Sequence, residues 1–145
     1  MKILMVCLGN ICRSPLAHGI LAHLIEENGL NWEVDSAGTG NWHLGECPDG
    51  RSIAVAKKYG VDISEQRARQ FNKADFDHYD RIFVMDRNNL RDVLAMARST
   101  GDRAKVSLFL VNDIVPDPYY DNNLFDPVYQ LIAARCEILM KELAV

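Results

Sequence analysis

The chain has 145 residues, of which 48% are hydrophobic and 25% charged, and its formal net charge at pH 7 is -4. This size and composition predict a single globular domain, 1–145, and the acidic balance argues against a general nucleic-acid binder or a polybasic membrane anchor. We therefore expect neither nucleic acid nor a membrane among its partners. The first apolar run is too short for a signal peptide and no run could span a bilayer, which predicts a cytoplasmic protein.

The first half of the chain predicts two strands, each followed by a helix. The continuous apolar run 3–6 is typical of a strand buried on both faces. A helix is expected to follow it, capped by Ser14, with a proline in its first turn and Gly29 as its stop. A second strand is predicted at 33–37 and a second helix over 47–60.

The second half of the chain repeats this alternation. Apolar runs at 80–86 and 105–110 predict the third and fourth strands. Apolar side chains at helical spacing predict helices over 90–97 and 128–143. The alternating order predicts a parallel sheet with helices on both faces.

Chemically useful side chains follow the ends of all four predicted strands. Cys7 ends the first strand, Ser36 and Asp86 end or follow the next two, and Asp117 follows the fourth. Ligands of parallel sheets bind beyond the carboxyl ends of the strands. We therefore expect these four side chains to meet at one edge of the sheet.

The segment between the first strand and the first helix predicts an anion site. The first N–H groups of a helix lack internal partners, and together with the helix dipole they form a cradle for negative charge. A glycine and an asparagine allow the unusual backbone angles that such a turn requires. The string lacks the lysine of the nucleotide-binding P-loop, so phosphate rather than a nucleotide is the expected ligand. The predicted phosphate-binding residues are Leu8, Gly9, Asn10, Ile11, Cys12 and Ser14.

Cys7 and Arg13 add reactive chemistry to this cradle. A helix N-terminus and a nearby cation stabilise a thiolate, and the planar fork of Arg13 can hold two phosphate oxygens. The hydroxyl of Ser14 can donate to the sulfur. A cysteine at a strand end is often only a small buried hydrophobe, but the complete string favours phosphoryl transfer to Cys7.

The segment around Asp117 supplies a candidate acid. A phosphoester needs its leaving oxygen protonated, and two prolines stiffen the loop that carries this carboxyl group. Tyr119 and Tyr120 follow and can wall a cleft for a flat aromatic ring. Alone, the segment would be read as a turn in which aspartate caps local amides; beside the cysteine loop, the acid role explains it better.

The remaining cysteines and histidines give weaker signals. No CxxC pair exists and no second ligand pair accompanies the first two cysteines, so we expect free thiols and no bound metal. Cys136 falls on an apolar helix stripe and is predicted to be core, while Cys47 has no predicted role. Three histidines fall at helix or surface positions with no partner in view: His18, His23 and His78.

These motifs resemble the low-molecular-weight protein tyrosine phosphatases. The family signature, CxxxxxR followed by Ser, is present from Cys7 to Ser14, and the family's acid loop, Asp-Pro-Tyr-Tyr, is present from Asp117 to Tyr120. Further family landmarks occur in order at 35–39, 68–70, 85–86 and 89–92. The resemblance implies a flavodoxin-like three-layer fold, with a four-stranded parallel sheet flanked by helices.

The resemblance also implies a two-step hydrolysis of phosphotyrosine and small aryl phosphates without cofactor or metal. In the family, the equivalent of Cys7 attacks phosphorus, the equivalent of Arg13 binds the phosphate, and the equivalent of Asp117 serves as acid and then as base. A phosphocysteine forms and is hydrolysed. The expected partners are tyrosine-phosphorylated proteins, with inorganic phosphate as product and competitive ligand.

The family further implies a polar network around the phosphate cradle. Asn10, Ser14 and Ser36 resemble the residues that shape the loop and support the thiolate. The family commonly has a histidine where this chain has Gln66, which can form hydrogen bonds but cannot carry a charge. Trp42 falls in a loop whose family counterpart borders the cleft, and either substrate contact or a role as a partly buried anchor fits it.

Two questions stay open at this stage. Cys12 either forms a reversible disulfide with Cys7, as in the family, or packs beneath the loop. Among rival activities, arsenate reduction needs two more cysteines around 80–90, where none occurs, and arginine phosphatases of this scaffold carry Thr at the position of Ile11. A non-catalytic anion sensor would need neither nucleophile nor acid. Tyrosine phosphatase activity is therefore the prediction.

Overall fold

The computed structural model describes residues 1–144 and shows four strands. They are β1 (Lys2–Cys7), β2 (Glu33–Gly38), β3 (Arg81–Val84) and β4 (Val106–Leu108). All neighbouring strands are parallel, in the order β2-β1-β3-β4. The predicted parallel sheet is confirmed, and β1, which carries Cys7 at its end, lies inside it.

Six helices surround the sheet in the described part of the chain. They are α1 (Arg13–Glu27), α2 (Gly50–Lys58), α3 (Asp75–His78), α4 (Arg87–Ala95), α5 (Thr100–Ala104) and α6 (Phe125–Leu143). A short 3-10 turn, Asn122–Leu124, precedes α6. Within residues 1–144 no helix combines the length and the apolar character that crossing a bilayer requires.

Alternate side chains of β1 enter two separate cores, because successive residues of a strand point to opposite faces. Ile3 and Met5 join the core formed with α1, α2 and α6. Leu4 and Val6 join the second core, which includes side chains of α3 and α4. Helices on both faces of the sheet give the predicted three-layer, flavodoxin-like fold.

Several element boundaries differ from the sequence predictions. The third strand stops at Val84 because Asp86 turns back to cap α4, where its Oδ1 accepts a hydrogen bond from the Asn89 N–H at 2.8 Å. The expectation that Ser14 caps the first helix is wrong: the N-cap position is Cys12, without a side-chain cap, and the Ser14 hydroxyl lies at the Cys7 sulfur instead.

Two short helices, α3 and α5, had no sequence prediction. Both are too short for a hydrophobic period to reveal them.

Candidate active site

The candidate active site is a cleft of about 300 Å³ at the carboxyl end of β1. It gathers residues from the phosphate loop (residues 7–14), from the loop after β2 and from the acid loop (residues 115–122). The residues that line it are Cys7, Leu8, Gly9, Ile11, Cys12, Arg13, Trp42, His43, Asp117, Tyr119 and Tyr120. All of these except His43 were among the predicted site residues.

The phosphate loop leaves main-chain donors free at the cleft. Between β1 and α1, the N–H groups of residues 9–12 donate to no main-chain acceptor among the described residues. Asn10 has a φ of 57°, the left-handed region that the turn was expected to require. Neighbouring carbonyls are anchored instead, because Thr39 N–H donates to the Cys7 carbonyl and Gly40 N–H to that of Leu8, both at 2.9 Å. Unpaired N–H groups at a helix start are the chemistry of an anion site.

The Cys7 sulfur belongs to a buried polar network. It lies 3.0 Å from the Ser14 hydroxyl. The Asn10 side-chain NH₂ donates to the hydroxyls of Ser14 at 2.8 Å and Ser36 at 3.0 Å. The Asn10 side-chain oxygen accepts from the main-chain N–H of Arg69 at 3.0 Å. Asn10, Ser14 and Ser36 therefore meet around the loop, as the resemblance implied.

Arg13 is held as a buried cation at the floor of the cleft. It is 3% exposed, and its Nη1 donates to the Asp86 carboxylate at 2.7 Å and to the Val115 carbonyl at 2.9 Å. Burial alone would lower the pKa of Arg13, but the charges of Cys7 and Asp86 outweigh it and raise that pKa. The guanidinium stays charged and its orientation is fixed.

Asp117 reaches the cleft from the acid loop. Its carboxylate lies 3.9 Å from Arg13 Nη2 and accepts a hydrogen bond from the Tyr119 N–H at 3.1 Å. Its side chain is 39% exposed, so it remains accessible to both a substrate oxygen and water.

Aromatic side chains form the cleft walls. Tyr119 and Tyr120 pack edge to face with 5.0 Å between ring centroids, and Tyr120 is 89% exposed. Trp42 is 68% exposed, and its ring covers Gly40 so closely that a Cβ there would lie 2.0 Å from the ring. Trp42 is thus an exposed wall of the cleft rather than a buried anchor.

Gln66 and His18 make separate contacts near the phosphate loop. The Gln66 side-chain nitrogen donates to the Pro15 carbonyl at 3.1 Å, on the first turn of α1. His18 instead reaches the network, with Nδ1 3.2 Å from the Ser36 hydroxyl. The expectation that His18 has no partner is therefore wrong, and no local pattern signals the contact, because Ser36 lies on β2.

The other two histidines also have partners, which corrects the same expectation. His23 lies 3.0 Å from Glu27, one turn along α1. His78 lies 3.4 Å from Glu33. Both pairs are exposed, and none of the four residues lines the cleft.

The other cysteines are also placed by the structure. Cys12 is buried in the lining of the cleft, and burial, reinforced by the charges of Asp49 and Cys7, raises its pKa to about 12. Cys136 is fully buried in the core, as predicted, and burial raises its pKa as well. Cys47 is exposed.

His43 is the cleft residue that the sequence analysis did not identify. Its ring lies beside Gly9, and its Nδ1 pairs with Glu46 three residues along the chain. The spacing of His43 and Glu46 was visible in the sequence, but their approach to the phosphate loop depends on the path of the loop after β2.

Comparisons with known proteins identify the family to which this fold belongs. The family described as low molecular weight phosphotyrosine protein phosphatase matches residues 2–145. A Schizosaccharomyces pombe protein of that name is 44% identical over 128 residues, covering 82% of this chain and 81% of the relative. The human protein of that name is 38% identical, covering 97% of this chain and 94% of its own length.

Solved structures show the same relationship. A protein tyrosine phosphatase from Entamoeba histolytica superposes with a TM-score of 0.93 at 33% identity, covering 99% of this chain and 97% of that one. Vibrio vulnificus Wzb, in complex with benzylphosphonate, superposes with a TM-score of 0.88 at 33% identity, covering 97% of each chain. The class is that of cysteine-dependent phosphatases. This chain belongs to the low molecular weight phosphotyrosine protein phosphatase family.

Proposed function

We propose that this protein hydrolyses phosphotyrosine in proteins through a phosphocysteine intermediate on Cys7. The observation that carries the proposal is the position of the Cys7 sulfur. It lies 3.0 Å from the Ser14 hydroxyl and lines the cleft together with Arg13, Asp117 and the phosphate loop, where the N–H groups of residues 9–12 donate to no main-chain acceptor among the described residues. The domain 1–145 is proposed to act as a single catalytic unit.

In the first step, the Cys7 thiolate attacks phosphorus in line with the bond to the leaving phenol. Arg13 and the phosphate-loop N–H groups bind the nonbridging oxygens, whose negative charge they stabilise during transfer. Asp117 donates its proton to the phenolic oxygen, so that a neutral phenol departs. The sulfur–phosphorus bond forms as the phosphorus–oxygen bond breaks.

In the second step, Asp117, now a carboxylate, takes a proton from a water molecule that attacks the phosphocysteine. The sulfur–phosphorus bond breaks, Cys7 leaves as a thiolate, and inorganic phosphate is released. Asp117 holds the water's proton and is ready for the next cycle. Phosphate should compete with substrate, because it fits the same donors.

The walls of the cleft support an aryl substrate. Trp42, Tyr119 and Tyr120 offer aromatic surface at the cleft mouth, and Ile11 adds an apolar side chain beside the loop. Aromatic rings pack well on such surfaces. The benzylphosphonate bound by the Vibrio vulnificus relative also combines an aromatic ring with a phosphorus acid group. A polar phosphoguanidinium would gain less from these walls.

We further propose that the protein acts in the cytoplasm on tyrosine-phosphorylated proteins. All four cysteines are free, and a reducing compartment keeps a nucleophilic thiol from forming disulfides.

The test is a substrate panel measured with wild-type protein and with Cys7→Ser. We expect the wild type to hydrolyse para-nitrophenyl phosphate and phosphotyrosine peptides, with lower kcat/KM on phosphoarginine and phosphoserine peptides of the same sequence. Cys7→Ser should lose turnover completely while keeping its circular dichroism spectrum, and Cys47→Ser is the matched control. Turnover by Cys7→Ser, or a preference for phosphoarginine, would overturn the proposal.

A further inference from the structure

A histidine outside the cleft is the last member of the hydrogen-bond chain that runs from Cys7 through Ser14, Asn10 and Ser36. His18 lies on α1, with its side chain 19% exposed and its Nδ1 3.2 Å from the Ser36 hydroxyl. It is not among the side chains that line the cleft. The catalytic steps proposed above do not use it.

The direction of each hydrogen bond in the network follows from counting protons. The Asn10 side-chain oxygen accepts from the Arg69 N–H, so its NH₂ group must be the part that donates to Ser14 and Ser36. Each of the two hydroxyls therefore receives one hydrogen bond from Asn10 and keeps its own proton to donate.

Each hydroxyl has one remaining partner among the described side chains. For Ser14 that partner is the Cys7 sulfur, and for Ser36 it is His18 Nδ1. Ser14 then donates to sulfur, which stabilises a thiolate, and Ser36 donates to the imidazole. This assignment requires a neutral His18 that carries its proton on Nε2.

The surroundings of His18 favour the neutral ring. Burial lowers the pKa of His18; the nearby Asp35 carboxylate opposes this shift and the Arg69 guanidinium reinforces it. Asp35 of β2 lies 3.9 Å from Nδ1. The Asp35 carboxylate also forms an ion pair with Arg69 and accepts a hydrogen bond from the Tyr79 hydroxyl. Arg69 pairs in addition with Asp75. These partners partly neutralise the Asp35 charge, so that Asp35 does little to favour the protonated form of His18.

We propose that neutral His18 is a positioning residue, which accepts the Ser36 proton and thereby holds the Ser36 oxygen as an acceptor for the Asn10 NH₂ group, which also donates to Ser14 beside Cys7. The inference rests on the proposed role of Cys7 as nucleophile. If His18 gains a proton, its Nδ1–H must donate to Ser36, and the Ser36 proton loses its acceptor. The Asn10 NH₂ group and the imidazolium then both donate to the Ser36 oxygen, and the support of the phosphate loop weakens.

The first test is the tautomer of His18, measured by long-range ¹H–¹⁵N NMR on the unmodified protein at pH 7. The proposal predicts the Nε2–H tautomer. An Nδ1–H tautomer or a cationic ring would overturn it. This measurement needs no variant, no substrate and no turnover, so its outcome is independent of the proposed phosphatase activity.

The second test compares His18→Leu, which removes the acceptor, with His18→Asn, whose side-chain oxygen can replace Nδ1. His23→Leu, an exposed position on the same helix, is the matched control. We expect His18→Leu to slow the alkylation of Cys7 by iodoacetate about tenfold and to lower kcat by a similar factor, as expected for loss of support to a charged acceptor. His18→Asn should restore most of both rates.

The pH profile separates positioning from mere packing. In the wild type, kcat/KM should decline at acid pH partly because His18 becomes protonated, and in His18→Asn that contribution should vanish, leaving a shallower decline. The proposal would be overturned if both His18 variants matched His23→Leu in the rate of Cys7 alkylation and in the dependence of kcat/KM on acid pH. Normal alkylation of Cys7 without phosphatase turnover would instead contradict the proposed function alone.

Discussion

The phosphate loop and the acid loop face the same cleft but are built in opposite ways. In the phosphate loop, Asn10, Arg13 and Ser14 are each no more than 3% exposed and are joined by direct hydrogen bonds to one another, to Ser36 of β2 or to Asp86 at the start of α4. In the acid loop, Asp117 is 39% exposed and Tyr120 is 89% exposed. The nucleophile Cys7 is thus supported by a buried hydrogen-bond network, whereas the acid Asp117 is partly exposed and has few contacts.

This difference matches the two tasks. Stabilising the charge of a transferring phosphoryl group requires donors that are fixed before substrate binds. An acid that later activates water must stay accessible to solvent and to leaving groups of different shape. Rigidity and burial therefore belong to the phosphate loop, and exposure belongs to the acid loop.

One side chain connects the two loops. Arg51 Nη1 donates to the Tyr119 carbonyl at 2.9 Å, and its other nitrogens bind both oxygens of Asp49. The Asp49 N–H in turn donates to the Ile11 carbonyl at 2.8 Å. Arg51 also stacks over Phe125, with 4.5 Å to the ring centroid. The acid loop is thus fastened to the phosphate loop through α2.

The largest effect short of removing Cys7 is expected for Arg13→Lys. Lysine keeps the charge but cannot hold two phosphate oxygens while also binding Asp86 and the Val115 carbonyl. We expect kcat/KM on para-nitrophenyl phosphate to fall about 10³-fold, the scale of losing a main oxyanion donor. A loss of kcat/KM below about tenfold, in an Arg13→Lys protein whose thermal midpoint is unchanged, would show that phosphate binding does not depend on the guanidinium group of Arg13.

Asp117→Asn should have the next largest effect, and one that depends on the leaving group. The amide cannot donate an acidic proton, so kcat/KM should fall about 10²-fold for alkyl or phenyl phosphates and much less for activated aryl phosphates. A plot of rate against leaving-group acidity should steepen relative to the wild type. Equal slowing across the series would contradict the acid role.

Arg51→Ala should weaken the acid loop without disturbing the phosphate loop. We expect about a tenfold loss of kcat on poor leaving groups, because a misplaced acid loses part of its catalytic contribution. Alkylation of Cys7 by iodoacetate should stay at the wild-type rate. Arg91→Ala, an exposed arginine on α4, is the control. Slowed alkylation in Arg51→Ala would show that the two loops are not separable.

The smallest effect concerns stability at alkaline pH. The pKa values of Cys12 and Cys136 are raised by burial, so the folded protein keeps protons that the unfolded chain releases above about pH 8.5. Stability from these thiols is complete below that pH. It should decline above it, by up to about 1.4 kcal/mol per pH unit for each group.

Denaturant unfolding between pH 8 and 10 measures this decline. Cys136→Val should make the slope shallower, whereas Cys47→Ser, which removes an exposed thiol, should leave it unchanged. A wild-type slope equal to that of Cys136→Val would contradict the buried-thiol explanation.

Much of the fold could be read from the sequence because β1 and its successors are short apolar runs separated by helical patterns. The approach of Ser36, Asp86 and Asp117 to the phosphate loop after Cys7 followed from one rule about parallel sheets, although Ser36 lies two residues before the end of β2. The element boundaries were less predictable. Ser14 contacts the Cys7 sulfur instead of capping α1, and Asp86 caps α4 instead of extending β3.

The links between distant segments could not be predicted. Arg51 meets the acid loop across 68 residues, and Asn10 meets the Arg69 N–H across 59. No local period encodes such contacts. His18 illustrates the same limit: its place on a helix was predictable, but its contact with Ser36 depends on how α1 lies against β2.

The central claim is that phosphate passes through the sulfur of Cys7. The most direct test is to mix the protein with excess para-nitrophenyl phosphate, quench with acid within milliseconds, and locate phosphate by ³¹P NMR and peptide mass spectrometry. We predict a single phosphothioester on Cys7, present during turnover and gone after substrate is consumed. Phosphate found on another residue, or full turnover with no trapped phosphocysteine, would contradict the account.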